Sequence, residues 1–183
     1  MIVNIMGRSG SGKTTLIRYL VANYPGYRII KSYTSRPRRL GEGDDAYNFV
    51  DSSALPDSPE FALRRVRGSA VYALKVSDLR ADDGSIPIFA FPAKGAVFLK
   101  SLGFSVQCFY LELSESESVA RMEGRGDTGS GILQRMGQDS MESSLEATCI
   151  ILSSQELMVL DARSSVEELA RVVNASVKKF KPS

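Results

Sequence analysis

The eight residues from Gly7 to Thr14, GRSGSGKT, constrain this chain more than any other stretch. They fit G-x-x-x-x-G-K-[ST], and they stand between an apolar run, Ile2 to Met6, and a segment with apolar residues at Leu16, Ile17, Leu20 and Val21 in helical spacing. Strand, glycine-rich turn and helix, in that order, are the context in which this pattern binds phosphate. Average residue frequencies would produce it by chance in a chain of this length only on the order of once in a few hundred sequences. Glycines let successive backbone N–H groups curl around phosphate oxygens, and the start of the following helix adds free donors and a positive dipole end. The loop therefore predicts a nucleoside triphosphate site made by Gly7, Ser9, Gly10, Ser11, Gly12, Lys13, Thr14 and Thr15. Lys13 is expected to reach the β- and γ-phosphates. Thr14 is expected to offer its hydroxyl to Mg²⁺, a hard ion that bridges phosphate oxygens in such sites and keeps several waters.

The rest of the chain continues the alternation that the loop begins. A second strand is expected at 28–32, then a polar, basic loop, SYTSRPRRLGEGDD, in which Pro37, Gly41 and Gly43 argue against helix or strand. Short strands are expected at 47–50 and 71–76, on either side of a helix at 59–67, and IPIFAF at 86–91 reads as a buried central strand. A helix at 94–102 and a strand at 105–113 follow. Ser114, three residues before Glu117, offers a capping box for the next helix. MEGRGDTGSG then breaks regular structure, and helix is expected at 132–145, extended chain at 148–152 and 157–161, and a closing helix at 166–177. Strands alternating with helices predict a layered α/β fold with a mainly parallel central sheet. At 183 residues the chain is expected to form one domain.

Composition removes several classes of function. Lys and Arg number 23 against 21 Asp and Glu, a net charge of +2, far from the basic excess of a duplex-binding protein, so no nucleic acid polymer is expected as partner. No apolar run approaches membrane-spanning length, and no basic stretch or apolar core of a secretory signal precedes the first strand. The two cysteines, Cys108 and Cys149, lie in apolar segments without CxxC spacing, which predicts reduced thiols and, by default, a cytoplasmic protein. With no histidine in the sequence, triads and imidazole metal sites are excluded, and acid–base or charge-stabilising chemistry falls to Asp, Glu, Lys, Arg, Ser or Tyr.

Beyond the phosphate loop the chain resembles the guanylate kinase family. That family follows its second strand with a serine, then T-[ST]-R-x-x-R-x-G-E, then a tyrosine in a Y-x-F-V strand. Here stand Ser32, Thr34, Ser35, Arg36, Arg39, Gly41, Glu42 and YNFV from Tyr47. The resemblance assigns Arg36, Arg39 and Tyr47 to the phosphate of a nucleoside monophosphate, a dianion that two guanidinium forks can hold in bidentate fashion. It matches Ser32 to a serine that hydrogen-bonds the base, and Tyr72 to a second phosphate-binding tyrosine. RMEGRG from Arg121, followed by Arg135, is similar to the family's lid, R-[LM]-x-x-R-G with a further arginine one helix-length later. Arg121, Arg125 and Arg135 are thereby expected to stabilise the charge that spreads over a transferring phosphoryl group, an effect that can contribute ~10³ to 10⁵ in rate.

The resemblance implies a three-layer P-loop fold with ATP and Mg²⁺ as cofactors. It divides the chain into a core at about 1–31, 84–120 and 137–183, a monophosphate-binding region at about 32–83 and an arginine-rich lid at about 121–136. Partners are expected to be small nucleotides, and the chain a monomer or homodimer. In two places the family pattern fails. Guanylate kinases read the guanine N1 and N2 donors with acids in F-[IL]-E-[WHY] and D-x-D-x-x-G segments. Here FALRRVRG puts Leu63 or Arg64 at the glutamate position, and FAFPAKG puts Ala90 and Pro92 at the aspartates. A base donor left unpaired in a closed pocket costs ~1–3 kcal/mol, enough to weaken a guanine preference by tenfold or more. Three readings therefore stand: transfer to GMP or a GMP-like nucleotide, transfer to another small phosphorylated acceptor, or a catalytically weak nucleotide-binding module.

Overall fold

The computed structural model describes residues 1–38, 43, 47–80, 84–142, 144–152 and 156–179. Along the chain its elements are Ile2–Gly7 (β1), Lys13–Asn23 (α1), Tyr27–Ile29 (β2), Ser32–Thr34 (β3), Tyr47–Phe49 (β4), Phe61–Arg67 (β5), Ala70–Lys75 (β6) and Val76–Leu79 (α2). Ile86–Phe89 (β7), Ala93–Ser101 (α3), Val106–Glu112 (β8), Glu115–Gly124 (α4), Gly129–Glu142 (α5), Leu145–Ile151 (α6), Leu157–Asp161 (β9) and Val166–Lys179 (α7) complete it.

β1 is buried along its whole length. A strand with no solvent face belongs inside a sheet covered on both sides, and β1 lies in the middle of a five-stranded sheet of order β2-β7-β1-β8-β9, all of its pairings parallel. Val3 and Ile5 point to one face, where Leu16, Ile17 and Leu20 of α1 and Leu169, Ala170, Val173 and Val177 of α7 cover them. Ile2 and Met6 point to the other, against Ala93, Ala96 and Leu99 of α3 and Leu152 after α6. Helices on both faces give the three layers that the alternating pattern predicts. Among the described residues no helix is long and apolar enough to cross a membrane.

A second sheet, of order β4-β3-β6-β5, stands at one edge of the first. The strand expected at 28–32 is divided between the two. β2 pairs with β7 in the large sheet, and β3 pairs with β4 and β6 in the small one, so the chain changes sheets at Ile30 and Lys31. Two expectations are overturned. The segment 59–67 carries strand β5, antiparallel to β6, where a helix was expected, and 145–151 is helix α6, where 148–152 was expected to be extended. β5 hides its alternation behind a bulge between Ala62 and Arg65, at which Leu63 adopts a left-handed backbone with φ 58°. α6 is started by Ser144, whose hydroxyl accepts from the Ala147 N–H at 3.1 Å, and this cap outweighs the β-leaning T-C-I-I sequence. The capping box of α4 forms as expected, with Ser114 and Glu117 exchanging side-chain and backbone hydrogen bonds.

One polar side chain ties the centre of the large sheet to the segment after β7. Asn4 is fully buried, and its amide donates to the Phe91 carbonyl at 3.1 Å and accepts from the Phe91 N–H at 2.9 Å. The pair holds the carboxyl end of β7 beside that of β1, where the chain's ligand-facing loops gather. An Asn4→Ala variant should lose about 2–4 kcal/mol of unfolding free energy, since it strands two buried backbone groups at ~1–3 kcal/mol each. Urea unfolding should register this as a lower midpoint at unchanged slope.

Candidate active site

The turn out of β1 is shaped by what lies against it. An ideal Cβ on Gly7, whose φ is 139°, would stand 2.6 Å from the Leu111 carbonyl oxygen and 2.8 Å from Ser11 Oγ, so only glycine fits here. At Gly10, with φ 78°, a Cβ would come within 2.9 Å of the Ser118 carbonyl oxygen, so α4 packs directly on the loop. No side chain caps α1 at Gly12, which leaves the first donors of the helix to a ligand. Lys13 folds back over the loop, donating from Nζ to the carbonyls of Gly7 at 2.7 Å and Arg8 at 2.6 Å. Ser11 Oγ is buried and has no hydrogen-bond partner among the described residues.

Facing the loop is the small sheet. Its register pairs Ser32 with Tyr47 and Thr34 with Tyr72, which brings both tyrosines close together, ring centroids 6.2 Å apart in an edge-on contact. The Arg36 guanidinium lies 4.9 Å from the Tyr47 ring centre and 5.2 Å from that of Phe49. Four of the five residues expected to bind an acceptor are thus gathered, Ser32, Tyr47 and Tyr72 on strands of the small sheet and Arg36 just after β3; the fifth, Arg39, lies outside the described residues. Thr14 and Arg18 of α1, Ser32, Tyr47 and Ala90 line one cavity of about 50 Å³, space for a few waters.

The positions that the resemblance would give to acids hold no carboxylate. Leu63 is half-buried against the core, its methyls about 3.2–3.4 Å from where a Gly95 Cβ would sit. Arg64 donates from Nε to the Leu55 carbonyl at 3.0 Å, Ala90 borders the cavity, and Pro92 precedes α3 as its capping residue. Arg65, next along β5, stacks over Phe91 at 4.7 Å and Tyr72 at 5.4 Å.

Three arginines expected to form a lid divide into two groups. Arg121, on α4, reaches the loop, with Nη1 3.5 Å from the Gly10 carbonyl, and donates from Nη2 to the Ala162 carbonyl at 2.9 Å. Arg125 and Arg135, on either side of the turn between α4 and α5, converge on one oxygen of Asp127 at 2.6 and 2.7 Å. Burial pulls the Asp127 carboxyl up, but hydrogen bonds and charge from both arginines outweigh it and hold the group below the usual aspartate value.

Sequence reasoning missed the groups that these elements lean on. Asp127 read as one residue of a glycine-rich break. The Ala162 contact is a backbone carbonyl and has no sequence signal. Ser118 and Asp139, both nearly buried, hold the Ser9 peptide from α4 and α5: Ser118 Oγ donates to its carbonyl at 2.5 Å, and its N–H donates to Asp139 Oδ2 at 2.6 Å. A lone serine and a lone aspartate at helical spacing look like an ordinary polar face.

No family model matches the chain. It is similar to the guanylate kinase of Aromatoleum aromaticum (strain DSM 19018 / LMG 30748 / EbN1), 32% identical over 185 aligned positions that cover 96% of this chain and 88% of the relative. The guanylate kinase of Neisseria meningitidis serogroup A (strain DSM 15465 / Z2491) is 29% identical, with 93% and 85% covered. In three dimensions the guanylate kinase from Anaplasma phagocytophilum shares the fold, with a TM-score of 0.66 at 18% identity over 97% of this chain and 84% of that one. Relatives that match from end to end, a phosphate loop folded between β1 and α1, and a layered parallel sheet agree, and the chain belongs to the guanylate kinase family.

Proposed function

We propose that the chain is a nucleoside monophosphate kinase, transferring the γ-phosphoryl of ATP to the phosphate of GMP or a GMP-like nucleotide. One observation carries this reading: Thr14 of the phosphate loop and Ser32 and Tyr47 of the small sheet line the same cavity, so a donor and an acceptor bound by these elements would meet there. An oxygen of the acceptor phosphate forms the new bond to the γ-phosphorus while the bond to the β–γ bridging oxygen breaks and ADP leaves. The attacking oxygen is already largely ionised at neutral pH, so a chain without histidine lacks nothing the step requires.

In this reading Gly7, Ser9, Gly10, Ser11, Gly12, Lys13, Thr14 and Thr15 hold the triphosphate. Lys13 exchanges the Gly7 and Arg8 carbonyls for β- and γ-oxygens, and a phosphate oxygen supplies the partner that Ser11 Oγ lacks. Arg36, Arg39, Tyr47 and Tyr72 hold the acceptor phosphate, and Ser32 meets the base. Arg121, Arg125 and Arg135 stabilise the transferring group, the last two exchanging the Asp127 carboxylate for phosphate oxygens. The cavity lining fits Mg²⁺ only through the Thr14 hydroxyl, since no carboxylate is among its residues. Thr14 would hold such an ion, whose chemistry there would be to neutralise charge on the phosphates. The working parts are a core at about 1–31, 84–120 and 137–183, an acceptor region at about 32–83 and a lid at about 121–136, acting on small nucleotides as monomer or homodimer.

A second reading has its own observation. With Leu63 packed on α3 and Ala90 in the cavity wall, no carboxylate is among the described residues that line this cavity, and Arg18 is its charged neighbour. A different small phosphorylated acceptor, one with no donors to satisfy, fits that wall as well as guanine does.

Coupled ADP release with Mg-ATP against GMP, AMP, CMP, UMP and their deoxy forms separates these readings. Turnover with GMP or dGMP supports the first, turnover with another acceptor the second, and ATP binding without turnover on any acceptor a binding module. With any productive acceptor, Lys13→Ala should lower kcat on the order of 10²-fold or more. Asp127→Asn should lower thermal stability slightly, by under about 1 kcal/mol, as expected for partly exposed ion pairs. Because the folded carboxyl titrates below its usual value, that difference should be constant above the usual aspartate pKa of ~3.9 and vanish as pH falls through the lower folded value, checked by melting wild type and variant across pH 3–7.

A further inference from the structure

Both backbone polar groups of Ser9, in the phosphate loop, are held from outside. Ser9 donates its N–H to Asp139 on α5 at 2.6 Å and receives the Ser118 hydroxyl of α4 on its carbonyl at 2.5 Å. Asp139 is 6% exposed and Ser118 3%, so neither bond competes with water. Beneath them the loop carries a second pair of ties to α4: the Arg8 guanidinium meets Glu115 at 2.8 Å, and Gly10 lies against the Ser118 backbone. The two helices that grip Ser9 also carry two of the lid arginines, Arg125 at the end of α4 and Arg135 within α5.

A carboxylate is an expensive choice for this place. It sits buried behind a loop that would bind a polyanion, and its charge repels the phosphates that the loop's amides attract. A serine or asparagine oxygen would accept the same N–H without that repulsion. What the charge adds is a stronger, shorter bond, roughly twice a neutral one. The orientation of the Ser9 peptide also sets that of the next ones, since Gly10 follows with a left-handed backbone and Ser11 closes the turn by donating to the Arg8 carbonyl at 3.2 Å.

We propose that Asp139 and Ser118 are positioning residues for nucleotide binding: they fix the Ser9 backbone, through its N–H and its carbonyl, to α5 and α4, so that the aim of the loop's amides and the attitude of the helices that carry Arg125 and Arg135 change together. The hydrogen bond does the aligning, and the negative charge opposes the ligand. This rests on the reading of the loop as an ATP site, and it needs no knowledge of the acceptor.

The test is equilibrium binding of Mg-ATP to the full chain, wild type against Asp139→Ala, Asp139→Asn and Ser118→Ala, with melting of each variant measured alongside. Asp139→Ala should weaken binding about tenfold and speed amide exchange at Gly10, Ser11 and Gly12. Asp139→Asn, which keeps an accepting oxygen and drops the charge, should return binding to within about twofold of wild type or tighter. Ser118→Ala, a small change that removes only the hydroxyl, should weaken binding about threefold, and it stands as the test if Asp139→Ala fails to fold. Unchanged affinity in Asp139→Ala and Ser118→Ala overturns the proposal, as does tighter binding in Asp139→Ala, which would make the carboxylate a competitor. If wild type does not bind Mg-ATP in a manner lost in Lys13→Ala, it is the reading of the loop that fails.

Discussion

How closely the end of β1 lies against β8 decides what the rest of the site can be. The six-residue parallel register from Ile2 with Val106 to Gly7 with Leu111 brings the Leu111 carbonyl so near that no Cβ fits on Gly7. The chain must therefore turn there on glycine, and the turn delivers it to the start of α1 with backbone donors not taken by a cap. Because all pairings of the large sheet are parallel, the carboxyl ends of β7 and β8 stand on the same edge as this turn, and the Asn4 bridge to Phe91 fixes the distance between them. In an open parallel sheet that edge is where ligands bind. The small sheet, Ala90 and α4 are consequences of that arrangement, since each is attached to a strand end gathered there.

The cations around the edge are all provisionally occupied. Lys13 sits on two carbonyls of its own loop, Arg121 on Ala162, Arg125 and Arg135 on Asp127, Arg36 over Tyr47 and Phe49. Of these contacts the two to Asp127 are ion pairs of partly exposed groups, which contribute ~0–1 kcal/mol each. The cavity between Thr14 and Tyr47, about 50 Å³, lies among these groups.

The phosphate loop, its flanking strand and helix, the layered sheet and the α4 capping box were legible in the sequence because each is a local pattern with a local cause. Family membership was legible through the residues around Arg36 and Arg121. What could not be read has physical reasons. β5 looked helical because the bulge at Leu63 breaks its alternation, and a left-handed leucine is a feature no propensity anticipates. α6 looked extended because isoleucines and threonine favour strands, while the deciding cap, Ser144, is one residue among several serines. Asp127, Ser118 and Asp139 act through contacts to residues near or far in the chain that periodicity does not register.

The central claim is that one chain presents a donor site and an acceptor site to each other across Thr14, Ser32 and Tyr47. Its most direct test is titration of the full chain with an adenosine and a guanosine joined 5′ to 5′ through five phosphates, in the presence of Mg²⁺. Linking two site-directed groups makes the second contact intramolecular. One molecule should bind per chain, at least tenfold more tightly than ATP alone, with the gain lost in Arg36→Ala. Binding no tighter than ATP, or a gain that survives Arg36→Ala, would contradict the claim.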